Sequence, residues 1–229
     1  MTPAAGPSKT PFYFKTQLTL VLLTGLKARN LVELREQLAV VSESSVYYHT
    51  HHYLEQHQLL TPEPPNDFAY WVVQVLQEDR VGEALAAIDI VRFNTLAALR
   101  QAILAELDAF LAKKPLLRES PPGEEFQFLR SVLFSLPTRE QASNLSEFRE
   151  CLTRVSTSSL YYHVFSGRLR RPLGVNDFSD WLTVCLGESE LARRIDQLDP
   201  YTYTMEGLRR RVIELVDERL KAPTADAPA

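Results

Sequence analysis

Two short motifs, each present twice, contain the residues whose chemistry could form a functional site. Ser-Ser-x-Tyr-Tyr-His occurs at residues 44–49 and 158–163, and Asn-Asp-Phe-x-x-Trp occurs at residues 66–71 and 176–181. Aromatic faces beside imidazole, amide and carboxylate groups are suited to a sugar or another small polar ligand. The candidate ligand-binding residues are Tyr48, His49, Asn66, Asp67 and Trp71 in the first half, and Tyr162, His163, Asn176, Asp177 and Trp181 in the second.

The same motifs also have a purely structural interpretation. A buried imidazole or tyrosine hydroxyl must find hydrogen-bond partners. Asp67 and Asp177 precede apolar helical stripes, so we expect them to cap those helices and to accept hydrogen bonds from His49 and His163. The motifs would then be a clamp between two helices. The two interpretations differ in whether the cluster is buried and mutually satisfied or opens onto a concave pocket.

Additional histidines in the first half raise the question of a metal site. His51, His52 and His57 accompany His49, and His49 and His52 would share one face of a helix. A metal site needs three or four converging ligands, and the second half has no equivalent cluster. We therefore predict no metal and no cofactor.

No sequence signature of catalysis is present. The chain lacks a nucleophile elbow, a Walker loop and a Gly-x-Gly-x-x-Gly motif. We predict no catalytic residues, and the sequence favours a non-enzymatic protein.

Arginines distinguish the second half from the first. Arg168, Arg170 and Arg171 follow its Tyr-Tyr-His motif, and further arginines occur near the C-terminus. Each half nevertheless has a small negative net charge, so we expect these side chains to form ion pairs on solvated surfaces. The alternative is a patch for an anion or an acidic partner.

The motifs belong to a longer recurrence. Residues 12–49 recur at 126–163 without a gap, and about 18 of these 38 positions are identical. We therefore expect two homologous units, repeat 1 at residues 11–112 and repeat 2 at residues 126–221. The Pro-rich segment 113–125 is expected to be their linker, and the tails at 1–10 and 222–229 are expected to be flexible.

Capping patterns and apolar spacing predict that both repeats are helical. Asn30 followed by Glu33, and Asn144 followed by Glu147, resemble helix N-terminal capping boxes and precede apolar residues at helical spacing.

The start of each repeat is ambiguous. Phe12 and Phe14, like Phe126 and Phe128, alternate as in a short strand, but the apolar runs that follow also fit a buried helix. We prefer the helix, so the predicted fold class is all-α, with two tandem homologous helical domains and a short strand at the start of each as the alternative.

Composition indicates a globular protein. The 229 residues are 45% hydrophobic and 24% charged, with a net charge of -4, so a general attraction for nucleic acid or anionic membranes is not expected. The two cysteines, Cys151 and Cys185, do not suggest a disulfide framework, and no apolar run is long enough to span a membrane. We expect a cytoplasmic location.

The strings SSVYYHTHH, PEPPNDFAYW, SSLYYH, NDFSDW and LDPYTY resemble a bacterial family of tandem helical domains of unknown function. The resemblance covers nearly all of residues 12–221. It implies a cytoplasmic bacterial protein and brings no activity, cofactor or catalytic residue. We therefore predict a non-enzymatic interaction or regulatory module whose partner is another protein or a second copy. The alternative is an enzyme or a binding protein for a sugar-like or anionic small molecule.

Overall fold

The structure is a computed structural model that describes residues 10–53, 65–113, 116–170, 175–198 and 203–221. The predicted flexible tails, apart from Thr10, lie outside the described residues, as do His57 and Arg171. The halves share one order of elements: a long strand, a helix, a short helix that continues into a π-helical turn, further helices and a long final helix.

The elements of each half have the following bounds. The first half contains strand β1 (Phe12–Ala28), helices α1 (Leu31–Val40), α2 (Glu43–Tyr47), α3 (Asp67–Gln74), α4 (Asp79–Ala86) and α5 (Leu96–Leu111), a π-helical turn (Tyr48–His52) and a 3₁₀ turn (Ile90–Arg92). The second half contains strand β2 (Phe126–Ala142), helices α6 (Leu145–Arg154), α7 (Thr157–Tyr161), α8 (Gly167–Arg170), α9 (Asp177–Leu186), α10 (Ser189–Asp196) and α11 (Met205–Lys221), and a π-helical turn (Tyr162–Ser166).

The prediction of an all-α fold is wrong, because each half begins with a strand of 17 residues. The two strands pair with each other in an antiparallel sheet, which makes the fold mixed α/β. The apolar run in β1 does not form the predicted buried helix, since Leu18, Leu20 and Leu23 are exposed. Pro137 lies within β2. A proline inside a helix costs about 3 kcal/mol, whereas a strand edge tolerates it.

The compact units of the structure are not two consecutive halves of the chain. Unit 1 consists of Met1–Leu18 and Ser135–Ala229, and unit 2 consists of Thr19–Phe134. The boundary between them falls within both strands, so the tandem arrangement in the predicted fold class is corrected as well. The boundaries predicted for the repeats and the linker, 11–112, 113–125 and 126–221, are not tested by this division and stay predictions.

The core of unit 1 combines the beginning of β1 with helices of the second half. Phe12 and Phe14 are buried there, and their ring centres lie 5.4 and 5.9 Å from that of Phe178. Phe14 also stacks on Phe148 of α6 at 5.8 Å. Burying two phenylalanines in this way is worth several kcal/mol, which fixes the strand against the helices.

The core of unit 2 uses the corresponding residues of β2. Phe126 stacks on Phe68 of α3 at 5.2 Å and contacts Trp71 edge-on at 5.6 Å. Phe128 is buried beside Phe126. In each unit, therefore, a Phe-x-Phe strand segment from one half of the sequence packs against helices from the other half.

The predicted helix caps of α1 and α6 are confirmed. The side chain of Asn30 accepts a hydrogen bond from the backbone N–H of Glu33 at 3.0 Å, and Asn144 accepts one from Glu147 at 2.9 Å. These caps begin each helix directly after its strand ends, which sets the direction in which the chain leaves the sheet.

Candidate functional site

The histidine of the motif in unit 1 uses both of its ring nitrogens. His163 Nε2 accepts a hydrogen bond from the backbone N–H of Lys15 at 2.8 Å, and Nδ1 lies 2.8 Å from Asp177 Oδ2. A backbone N–H can only donate, so Nε2 carries no proton. The imidazole proton is therefore on Nδ1, which donates it to the carboxylate of Asp177.

The same arrangement occurs in unit 2. His49 Nε2 accepts from the backbone N–H of Leu129 at 3.0 Å, and Nδ1 lies 2.5 Å from Asp67 Oδ2. Burial raises the pKa of the neighbouring Tyr48, and the negative charge of Asp67 raises it further. Because the backbone N–H of Leu129 donates to Nε2, this nitrogen carries no proton, and His49 is a hydrogen-bonded core residue at the same point of the fold as His163.

The second serine of each motif holds the same strand residue as the histidine. Ser159 Oγ donates to the carbonyl oxygen of Lys15 at 2.7 Å, and Ser45 Oγ donates to that of Leu129 at 2.6 Å. Serine and histidine are four residues apart, so they project from one helical face. Each pair therefore binds both backbone polar groups of one strand residue, and we call it the Ser–His grip.

The predicted hydrogen bonds between the motif histidines and aspartates are confirmed, but the predicted aspartate caps are wrong. Asn66 and Asn176 are the N-caps, and their side chains accept from the backbone N–H groups of Ala69 and Ser179, each at 2.9 Å. The aspartates are the first residues of α3 and α9. This position, near the positive end of the helix dipole, suits a carboxylate that receives a histidine proton.

The indole N–H groups of the motif tryptophans donate to backbone carbonyl oxygens. Trp181 Nε1 donates to the carbonyl oxygen of Thr10 at 2.8 Å in unit 1. Trp71 Nε1 donates to that of Glu124 at 2.8 Å in unit 2. Thr10 and Glu124 each lie two residues before the start of a strand. Each tryptophan therefore fixes the point where the chain enters the strand.

Unit 1 also contains a pocket of about 370 Å³ beside its grip. Four of the predicted site residues line it: Tyr162, His163, Asp177 and Trp181. The other lining residues are Pro11, Phe12, Tyr13, Lys15, Arg170, Asp180, Val184 and Cys185. The polar cluster is therefore internally satisfied and also forms part of the wall of a concave pocket.

Arg170 connects the polar residues of this pocket. Its guanidinium lies 3.8 Å from the ring centre of Tyr162, and its Nη2 donates to Asp177 Oδ2 at 2.6 Å. Gly167 allows Asp177 to approach, since a Cβ at this glycine would lie 3.1 Å from the backbone nitrogen and from Cγ of Asp177. A larger residue at 167 would displace the carboxylate that both Arg170 and His163 bind.

The electrostatics of the pocket keep His163 neutral. Burial lowers its pKa, the hydrogen bond and charge of Asp177 oppose this effect, and the positive charges of Arg170 and Lys15 add to it. A neutral imidazole agrees with the tautomer that the backbone contact requires. His163 therefore positions β1 and Asp177, and it has no nitrogen left for a ligand.

Sequence reasoning found some of the lining residues and missed others. Asn176 is buried and donates through Nδ2 to Asp196 at 2.8 Å, and it does not line the pocket. Lys15 was not predicted, because it lies in the other half of the sequence from every other charged lining residue. Arg170 was predicted only within an alternative anion patch.

Among the described residues, no group of three or more His, Cys, Asp or Glu side chains is placed to hold a metal ion. Of the additional histidines, His51 stacks on Tyr47 with ring centres 5.4 Å apart. Both His51 and His52 are buried in unit 2. His51 contributes to packing at a position whose counterpart, 114 residues later, is Phe165.

The fold and the site define an α/β protein in which Ser–His grips hold strands against helices. The chain belongs to DUF5752, a family of unknown function, whose sequence profile matches residues 9–217. The structure is similar to that of OrfY from Thermoproteus tenax, with a TM-score of 0.81 and 28% identity, covering 95% of this chain and 99% of that chain. No curated protein matches the sequence. None of the helices that the structure describes is long and apolar enough to cross a membrane.

Removing the serine of one grip should destabilise unit 1. Ser159→Ala removes the hydrogen bond from the buried Ser159 hydroxyl to the carbonyl oxygen of Lys15, and the net loss of such a bond costs about 0.5 to 1.5 kcal/mol. Urea unfolding should show this loss, while the neighbouring Ser158→Ala should change the free energy of unfolding by less than about 0.5 kcal/mol. Equal effects of the two substitutions would contradict the grip.

His51 should make stability depend on pH. Burial lowers its pKa from 6.5 to about 4, so between these values the unfolded chain binds a proton that the folded protein does not. The contribution is complete above pH 6.5 and is lost as the pH falls towards 4, by up to about 3 kcal/mol. His51→Phe, which copies Phe165, should reduce the fall in urea midpoint between pH 7 and pH 4. Identical pH profiles of the variant and the original protein would refute this assignment.

Proposed function

We propose that the protein is a non-enzymatic regulatory module that binds a small polar molecule in the pocket of unit 1. The observation that carries the proposal is the convergence of Tyr162, Trp181 and two cationic side chains, Lys15 and Arg170, on one pocket of about 370 Å³. This volume lies within the range of about 300 to 1,000 Å³ that is typical of small-molecule sites, and the wall combines aromatic faces with a few polar groups.

Binding fits the geometry better than catalysis. A general base needs a nitrogen that can take a proton during the reaction. His163 Nε2 accepts from the backbone of Lys15, and Nδ1 already carries a proton for Asp177. Protonating the imidazole at Nε2 would break the bond that holds β1. His163 therefore supports the binding site as a positioning residue.

A cytoplasmic location is part of this proposal. Cys151 and Cys185 are free thiols, as is usual in a reducing compartment. The net charge of -4 gives no general attraction for nucleic acid or for an anionic membrane, so we propose neither as a partner.

The proposal can be tested with the fluorescence of the pocket tryptophan. The chain has two tryptophans, so in Trp71→Phe the tryptophan emission comes from Trp181 alone. Glucose, benzyl alcohol, benzoate, phenyl phosphate and benzylamine are titrated into this variant. At least one probe should change the emission saturably in the millimolar range or below, and it should raise the thermal midpoint of the protein.

A substitution inside the pocket provides the matched comparison. Val184 lines the pocket and is 56% exposed, so Val184→Phe fills space without touching the grip. It should weaken binding of the active probe about tenfold. Val40→Phe, at an exposed position of α1 in unit 2, should leave binding unchanged. The proposal fails if no probe binds saturably, or if both substitutions have the same effect.

A second candidate function is self-association through the strands of unit 2. Leu20 and Leu23 of β1 and Phe134 of β2 are exposed there, and Leu23 is 78% exposed. Among the described residues the sheet contains only these two strands, so each has one edge without a strand partner. The segments 16–26 and 131–137 contain no charged side chain that would oppose edge pairing. We propose a second copy as the occupant, because β1 and β2 already show that these related sequences pair.

Sedimentation velocity tests this candidate. The original protein should show a dimer that dissociates on dilution, and Leu23→Lys should be monomeric because a charge on the exposed strand disfavours edge pairing. Leu116→Lys, at another exposed leucine of unit 2 outside the strands, should behave as the original protein. A monomeric original protein, or equal effects of the two substitutions, would refute self-association.

A further inference from the structure

We infer that the pocket of unit 1 selects an anionic ligand, a small molecule that carries a carboxylate or phosphate group on a flat apolar body. The inference rests on the proposed function, since it names the class of ligand for the same pocket. It depends on which polar groups of the lining are already used and which remain available to a ligand.

The cationic groups have unused donors. The side chain of Lys15 makes no hydrogen bond or ion pair with any residue that the structure describes, although its backbone is held by Ser159 and His163. The hydrogen bonds of Arg170 both use Nη2, which donates to Asp177 and to the carbonyl oxygen of Tyr162. Nε and Nη1 of Arg170 make no hydrogen bond with any residue that the structure describes, and an anion can accept from either of them.

The acidic groups are less available. Asp177 Oδ2 accepts from both His163 Nδ1 and Arg170 Nη2, and the aspartate side chain is only 10% exposed. Asp180 also lines the pocket and has an interaction of its own. The formal charges of the four ionised lining residues cancel. Oδ2 of Asp177 is used twice, whereas Nζ of Lys15 and Nε and Nη1 of Arg170 are used by no residue that the structure describes.

Two groups that suggested a sugar ligand, the amide of Asn176 and the carboxylate of Asp177, already have hydrogen-bond partners within the protein. Asn176 donates to Asp196 and Ser179 and accepts from the backbone of Ser179. Recognition of a neutral sugar needs several free donors and acceptors in one place. The unused donors of Lys15 and Arg170 lie in a lining that also contains Tyr13, Trp181 and Val184, whose side chains can contact a ring.

Binding of an anion should also stabilise the position of the strand. Lys15 belongs to β1 and Arg170 to α8, so an anion held by both side chains connects the strand with the helices of unit 1. The backbone of the same lysine is fixed by the Ser–His grip. A ligand therefore strengthens a contact that the unit already makes, and its binding should raise the unfolding midpoint.

The experiment compares three probes of similar shape in the Trp71→Phe variant: benzoate, benzyl alcohol and benzylamine. Benzoate should bind at least about tenfold more tightly than either of the others, and its affinity should fall when sodium chloride is added. Phenyl phosphate is titrated in parallel, and its affinity relative to that of benzoate shows whether the pocket prefers a phosphate or a carboxylate.

Two lysine substitutions serve as a matched pair. Lys15→Gln removes one pocket cation and should weaken benzoate about tenfold while leaving benzyl alcohol unchanged. Lys27→Gln removes an exposed lysine of the same strand that does not line the pocket, and it should have no effect. Far-ultraviolet circular dichroism and urea midpoints show whether the variants remain folded.

The failures of the two proposals are distinguishable. If benzyl alcohol or benzylamine binds as tightly as benzoate, and Val184→Phe weakens that binding, the pocket is a binding site but the anionic class is wrong. If benzoate binds equally to Lys15→Gln and Lys27→Gln, the anion is not held by Lys15 and the inference is overturned. If none of the probes binds, both the inference and the proposed function fail.

Discussion

The structure depends on the grip that a serine and a histidine exert on the backbone of one strand residue. The hydroxyl satisfies the carbonyl oxygen, and the imidazole satisfies the N–H, while an aspartate at the start of the next helix fixes the tautomer of the ring. In unit 1, four side-chain atoms join the strand to two helical segments: Oγ of Ser159, Nε2 and Nδ1 of His163, and Oδ2 of Asp177. Because the grip acts on the backbone, the side chain of the held residue is free to differ. It is Lys15 in unit 1 and Leu129 in unit 2.

Much of the local structure could be predicted from the sequence. The caps at Asn30 and Asn144 and the bonds between the motif histidines and aspartates follow from residue type and spacing. The strands were mistaken for helices because a short apolar run fits both periods. Pro137 in β2 and the three threonines of β1 favour the extended conformation over the helix.

The composition of the compact units could not be predicted from the sequence. Phe12 and Phe14 recur as Phe126 and Phe128, so either pair satisfies the helices of either half in chemical terms. The spacing of apolar residues shows which side chains of a strand are buried. It does not show which of two equivalent hydrophobic cores they enter. For the same reason the candidate site was only partly predicted: Tyr162, His163, Asp177 and Trp181 were found, whereas Lys15 reaches the pocket through long-range strand packing.

The grip also explains how one scaffold can carry a site in unit 1 with different chemistry from the matching region of unit 2. Asp177 is 10% exposed and bound by Arg170, whereas Asp67 is 30% exposed. The positions 114 residues before Gly167 and Arg170 are Tyr53 and Gln56, so the sequence of the first half lacks both the glycine that admits the aspartate and the cation that binds it. The residues that hold the strand recur in both halves, while those that could recognise a ligand, Lys15 and Arg170, occur once. Motifs that are retained twice therefore identify the framework, and the residues of the proposed binding site lie where the two halves differ.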